Sequence, residues 1–186
     1  MHARALAGLA GALLVWISVR PAAAAEDVVV EVERRGEGVE VRARATVSAS
    51  ATQVWQVLTD YDNLARFIPG IARSAVRDRQ GNRVVVDQAG EARFLVFAFP
   101  IEVRMEVVEA PPDWMTSQAV AGNLKRMSGR YDIRQDAQNV CRLRYEGALE
   151  PDFSLPPVVG LAAMRGMIEA QFAAMVAEIE RRAAQK

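Results

Sequence analysis

Between Ile71 and Glu150 the chain alternates apolar and polar residues in short runs, and turn signals cut those runs before any helix could propagate. The runs are Ile71 to Arg79, Arg83 to Ala92, Arg93 to Phe99, Ile101 to Glu109, Trp114 to Ala121, Leu124 to Gln135 and Val140 to Glu150. Between them stand Gln80-Gly81-Asn82, Pro100, Pro111-Pro112-Asp113, Gly122-Asn123 and Asp136 to Asn139. A period of two sends neighbouring side chains to opposite faces, and consecutive strands joined by brief turns pair antiparallel. This stretch therefore predicts one strongly curved antiparallel meander.

What flanks the meander decides what covers it. Upstream, Val28 to Val47 alternates in the same way around Arg35-Gly36-Glu37-Gly38, which predicts a hairpin. Ser50 followed by Gln53 reads as a capping box that opens a short helix with the stripe Val54, Trp55, Val57, Leu58 and Tyr61. Asp60 to Asn63 interrupts it, a further turn carries Leu64, Phe67 and Ile68, and Pro69-Gly70 stops it. Downstream, Pro157 to Arg182 places Leu161, Met164, Ile168, Phe172, Met175, Val176 and Ile179 every three or four residues, predicting one long amphipathic helix. The economical packing is α+β, with the sheet curled around that helix and the short helices closing one end.

The first 25 residues have the parts of a secretory signal: a basic start with Arg4, an apolar run from Ala5 to Val19, then Arg20-Pro21 and alanines before Glu26. The run is shorter than the roughly 20 residues a membrane span needs. Cleavage near Ala25 is expected, giving an exported, periplasmic protein whose residues 26–186 form a single domain. It would also remove His2, the only histidine. Without imidazole, Ser-His-Asp and Cys-His nucleophiles and His-ligated metals are excluded, and the single Cys141 excludes a thiolate cluster. No cofactor and no metal are expected. With 23 basic and 23 acidic residues the chain has no general field for a phosphate backbone, so nucleic acid is not an expected partner.

The run Ala51 to Gly70, ATQVWQVLTDYDNLARFIPG, resembles the opening helices of the START-related superfamily of polyketide cyclases/dehydrases and lipid-transfer proteins (SRPBCC). Arg142 to Gly147 and Pro151 to Pro157 are similar to the last strand and the approach to the terminal helix of its coenzyme Q-binding START-like members. The resemblance spans about Val28 to Arg182. It implies a helix-grip fold with an internal apolar cavity for lipids, quinones, polyketides or hormones, and it carries no catalytic residue onto this chain.

Strand parity picks the cavity-facing residues. Leu95, Phe97, Phe99, Val103 and Met105 would share the concave face with Met127, Tyr131, Leu143 and Tyr145, as would Val84, Val86, Val107 and Leu149. Met164, Ile168, Phe172 and Met175 of the helix would lie opposite. Such residues also serve simply to pack a core. Six methionines beyond Met1 suit an adaptable lining, and Tyr131 and Tyr145 offer hydroxyls on an otherwise apolar face. Arg104, Arg126, Arg130, Arg142 and Arg144 take the outer parity with Glu102, Glu106, Asp132 and Glu146, where they would form cross-strand pairs. A one-residue register error would instead turn Arg104, Arg126 and Arg144 inward.

The expected function is non-catalytic binding or carriage of a hydrophobic small molecule. A transient membrane contact through the Trp114 and Phe153 loops is expected if those loops and Phe97 to Ile101 gather at one rim. Two other classes remain open. A cyclase/dehydrase would draw on Asp60, Asp62, Glu146 or Tyr145 and needs facing ionisable groups inside the cavity. An envelope interaction module needs an exposed patch and no cavity.

Overall fold

The computed structural model describes residues 28–94, 97–152 and 157–185, and the side chains of these except 94, 97 and 157–159. The expected signal segment with Ala25, together with Leu95 and Phe153, lies outside the described residues. So does the side chain of Phe97.

Alternation in the N-terminal segment yields β1 (Val29–Arg35) and β2 (Gly38–Val47), turning at Gly36-Glu37. The capping box forms as its residues dictate: Ser50 Oγ accepts the Gln53 N–H while Gln53 Oε1 accepts the Ser50 N–H, opening α1 (Ala51–Leu58). A 3₁₀ turn over Tyr61–Arg66 follows. The meander is β3 (Ile71–Gln80), β4 (Arg83–Phe94), β5 (Phe97–Ala110), β6 (Trp114–Gly122), β7 (Leu124–Ala137) and β8 (Val140–Pro151), and α2 (Pro157–Ala183) completes the chain.

All eight strands form one open antiparallel sheet in the order β1-β2-β8-β7-β6-β5-β4-β3. The N-terminal hairpin docks on the last strand because β2 has a continuous apolar face. Val39, Val41, Ala43, Ala45 and Val47 are all buried, while Arg42, Arg44 and Thr46 between them are exposed. The architecture is the helix-grip arrangement that the order of elements predicts.

Pro100 does not end a strand as its position suggests. β4 and β5 run through to Phe94 and Phe97, with Glu91 opposite Pro100. The Pro100 carbonyl accepts a bond from Asn123 Nδ2 at 2.7 Å, on the β6 side. The ring nitrogen points the same way, beyond the last β5·β6 pair at Val103 and Gly122, so the missing N–H costs the sheet no ladder bond.

The terminal helix is about 40 Å long at 1.5 Å per residue, and its two halves are held differently. In the C-terminal half Phe172, Val176 and Ile179 are buried in the main core with Val54 and Val57 of α1. Glu178 accepts bonds from Arg181 at 2.6 and 2.7 Å and from Arg182 at 2.6 Å, and Arg182 reaches Asp60 at 2.8 Å, tying this end to the helix-turn segment. In the N-terminal half Leu161, Met167 and Ile168 are only half-buried. Leu161 and Ile168 pack there against the small cluster of Val32, Val39, Val41 and Met164.

The outer face is as parity predicts. Arg104 pairs with its cross-strand partner Asp87 at 2.6 Å, Arg83 with Glu106, and Arg130 with Asp132 at 2.7 Å. Arg126 and Arg144 are exposed, so the register that would turn arginines inward does not occur.

The Phe97–Ile101 and Pro111–Trp114 segments do not gather at one rim, and the Phe153 loop lies outside the described residues. Asn123, in the β6–β7 turn, bonds Pro100 with its side chain, and its carbonyl accepts the Asp152 N–H, so the Phe97–Ile101 segment and the end of β8 share a rim. The Pro111–Trp114 turn closes the far end of β5, whose last residue Ala110 is ten residues beyond Pro100, which at about 3.3 Å per residue is some 33 Å along the strand. There the Arg130 guanidinium stacks on the Trp114 ring, 4.7 Å from its centroid.

Candidate ligand cavity

The space under the middle of α2, from Met167 to Met175, is a hollow of about 210 Å³. A second hollow of about 130 Å³ adjoins it and shares six lining residues, Ile71, Gln88, Met127, Leu149, Met167 and Gln171. Together they approach the lower end of the range typical for small-molecule sites, roughly 300 to 1,000 Å³. The larger hollow is floored by Met105, Met115, Ser117, Met127, Tyr131 and Tyr145 of the sheet. Met167, Ile168, Phe172 and Met175 of α2 roof it, and Leu58, Tyr61, Leu64 and Ile68 close one end. Among the described residues no charged side chain lines it, whereas Glu91 lines the adjoining hollow.

Met105, Met127, Tyr131, Tyr145, Ile168 and Phe172 thus meet around one space, and Val103 lines the adjoining hollow. Leu143 and Met164 do not face either. Leu143 has no exposed surface and belongs to the layer that includes Ile133, Val54 and Ile179, where α1 and α2 press directly on the sheet. Met164 fills a separate small cluster with Val32, Val39 and Val41. Phe99 is half-buried and lines neither hollow.

Several lining residues escape strand parity. Tyr61, Leu64 and Ile68 arrive from the helix-turn segment, whose spacing says nothing about where that segment docks. Met115 and Ser117 were within reach of the pattern: β6 mirrors β5 across the Pro-Pro turn, setting Met115 opposite Glu109 and Ser117 opposite Val107. Met167 and Gln171 flank the helix stripe and are exposed to the hollow because the sheet does not reach them.

The floor has an unusual feature in its middle. Gly129 and Gly147 face each other across β7·β8, next to the facing pair Tyr131 and Tyr145. A Cβ on Gly129 would lie 2.7 Å from the Tyr145 hydroxyl oxygen, and one on Gly147 only 2.4 Å from it. The Tyr145 ring therefore lies flat on bare backbone, its hydroxyl carried over the glycine pair. Tyr131 stacks against it at 4.6 Å between centroids, tilted 42°. Burial pushes both hydroxyls' pKa values up, that of Tyr145 to about 12, so both are neutral donors at physiological pH.

Beside the cavity, Tyr61 donates to Glu109 Oε1 at 2.8 Å, and Arg79 donates to both Glu109 oxygens at 2.8 and 3.3 Å. Glu109 is buried and sequence reasoning missed it, although it continues the inward parity of Val103, Met105 and Val107. Its charge is fully engaged: burial and the bond to Glu109 push the Tyr61 hydroxyl's pKa up, and the Glu109 bond pushes that of Arg79 up. The carboxylates considered for chemistry lie elsewhere. Asp60 binds Asn63 and Arg182, Asp62 accepts the Val76 N–H at 2.8 Å, and Glu146 takes the outer parity of β8. Cys141 is fully buried, and that burial pushes its thiol pKa up.

Among curated proteins none matches this chain. Solved structures with the same fold include a protein of Thermus thermophilus at 15% identity, covering 78% of this chain and 97% of that one, with a TM-score of 0.62. The Zhui aromatase/cyclase from Streptomyces sp. R1128 is similar at 18% identity, 78% and 95% coverage and a TM-score of 0.60. A STAR-related lipid transfer protein from Xanthomonas axonopodis is similar at 14% identity, 83% and 99% coverage and a TM-score of 0.61. These likenesses establish the START-type fold that the run Ala51 to Gly70 suggested. The family model described as polyketide cyclase/dehydrase and lipid transport matches residues 38–184, and the chain belongs to that family.

Proposed function

We propose that this protein binds a hydrophobic small molecule, a lipid or quinone-like compound, in the cavity beneath α2 and carries it without transforming it, as an exported protein of the periplasm. The observation that carries this reading is the lining: about 210 Å³ of space walled mostly by Met, Leu, Ile, Val, Phe and Tyr, with Ser117, Gln88 and Gln171 as further polar groups and no charged group among the described residues. Burying apolar ligand surface there supplies affinity at about 25 cal/mol per Å², and nothing in the wall demands ionic chemistry. The similarity to a lipid transfer protein supports carriage, and the signal-like first 25 residues support export.

A cyclase/dehydrase-type reaction would need an acid or base with a free valence facing the substrate. Beside the larger hollow, Tyr61 and Arg79 occupy both oxygens of Glu109, and Glu91, which lines the adjoining hollow, accepts a bond from Arg93. Native mass spectrometry of the purified protein, with solvent extraction of its occupant, tests the reading. The expected result is a lipid-like mass released unchanged; a protein that neither retains nor takes up any apolar compound refutes carriage. N-terminal sequencing of exported material tests cleavage near Ala25.

A further inference from the structure

The cavity's polar groups define which apolar molecule it takes. Three hydroxyls sit side by side on its floor: Tyr131, Tyr145 and Ser117, the last opposite Gly129 in β6·β7. None of the three has a hydrogen-bond partner among the described residues. Nor does any described side-chain nitrogen or oxygen lie sealed and unpartnered, so these hydroxyls open onto the hollow. The glycine pair makes this arrangement, because only bare backbone at Gly129 and Gly147 lets the Tyr145 ring lie down and carry its hydroxyl to the centre of the floor.

Gln88 and Gln171 also line the hollow, their amides donating to Ser74 and to the Pro69 carbonyl, whereas donors that face a mostly apolar space without a partner are satisfied by a ligand oxygen, and an unmet buried donor is costly. Placing a full negative charge there is costlier still, since no cation among the described residues lines the larger hollow to compensate its desolvation. We infer that the cavity selects an uncharged, largely hydrocarbon ligand bearing a hydrogen-bond-accepting oxygen, such as a carbonyl, seated against Tyr131 and Tyr145, and discriminates against carboxylates of the same chain length. This rests on the cavity being the ligand site. The raised tyrosine pKa values fit it, since the same surroundings that resist a phenolate resist a carboxylate.

The test is displacement of the neutral fluorophore N-phenyl-1-naphthylamine from the purified protein by decane, 2-decanone and decanoate at pH 7.5. One satisfied hydrogen bond predicts a ketone preference over the alkane of about three- to tenfold. Decanoate is expected to bind at least about tenfold more weakly than the ketone. It should gain affinity as pH falls through the carboxyl range and the acid becomes neutral. The Tyr131→Phe/Tyr145→Phe variant should lose the ketone preference and bind decane at least as tightly as the wild type, since no tyrosine donor is then left unmet; each single variant gives an independent reading should the double fail to fold. Decanoate binding as tightly as the ketone at pH 7.5 overturns the inference, as does a ketone preference that survives both substitutions. Decane binding without ketone preference overturns this inference alone, whereas failure of every compound, fluorophore included, also overturns the cavity as the ligand site.

Discussion

Gly147→Ala is the smallest change that should disturb the cavity floor. The new Cβ would stand 2.4 Å from the Tyr145 hydroxyl oxygen, 2.7 Å from its Cζ and 2.8 Å from the Ser128 carbonyl oxygen. The ring can swing away but the backbone oxygen in the β7·β8 ladder cannot, so part of the strain persists. Overpacking of this kind costs about 1 to 3 kcal/mol. Replacing a strand glycine by alanine returns about 0.5 to 1 kcal/mol through reduced freedom of the unfolded chain. The expected net loss is about 1 to 2 kcal/mol, read as a lower urea midpoint at unchanged slope. A Tyr145→Ala partner variant removes the colliding ring, so the double-mutant cycle should show about 1 kcal/mol of favourable coupling. Equal stability of Gly147→Ala and wild type, or strict additivity with Tyr145→Ala, would refute the idea that the ring lies on the glycine pair.

Gly166 offers the opposite case: it is exposed in α2 and a Cβ there meets nothing within 4 Å, so Gly166→Ala should stabilise by about 0.5 to 1 kcal/mol in thermal unfolding. Ser50→Ala removes the hydroxyl that accepts the Gln53 N–H and should cost about 1 kcal/mol, measured the same way. The bonds from Arg181 and Arg182 hold the Glu178 carboxyl down to about 2 against an ordinary 4.5, the Arg181 bond being the larger cause. A depressed acid pKa stabilises the fold above 4.5, and that contribution, up to about 3 kcal/mol, is lost as pH falls from 4.5 towards 2. Glu178→Gln should therefore be less stable at neutral pH and show a flatter acid-unfolding profile.

The fold was legible because its signals are local and agree with one another. The Ser50 and Gln53 capping box, the Gly36-Glu37 turn and the alternation through β2 each fix one element, and the elements can pack in few ways. The cavity was half legible. Parity identifies which strand residues face inward, and so it finds Met105, Met127, Tyr131 and Tyr145. It cannot say where the helix touches the sheet and where it stands off. Leu143 and Phe172 illustrate the difference: both are inward, yet Leu143 is closed over by the packing of α1 and the C-terminal half of α2, while Phe172 borders the space. Pro100 misled because a proline's effect on a strand depends on which side its nitrogen faces, and that depends on where the neighbouring strand ends. The Trp114 loop misled because composition does not reveal which end of a sheet a turn closes.

The central claim is that α2 and the sheet enclose an unfilled apolar space between Phe172, Met105 and Tyr131. A crystal of the ligand-free protein pressurised with xenon measures this directly, because the gas occupies apolar cavities and avoids well-packed cores. Ordered xenon beneath the middle of α2, between Met167 and Met175, is the predicted result. A core that excludes it there, with side chains in contact across the gap, would contradict the account.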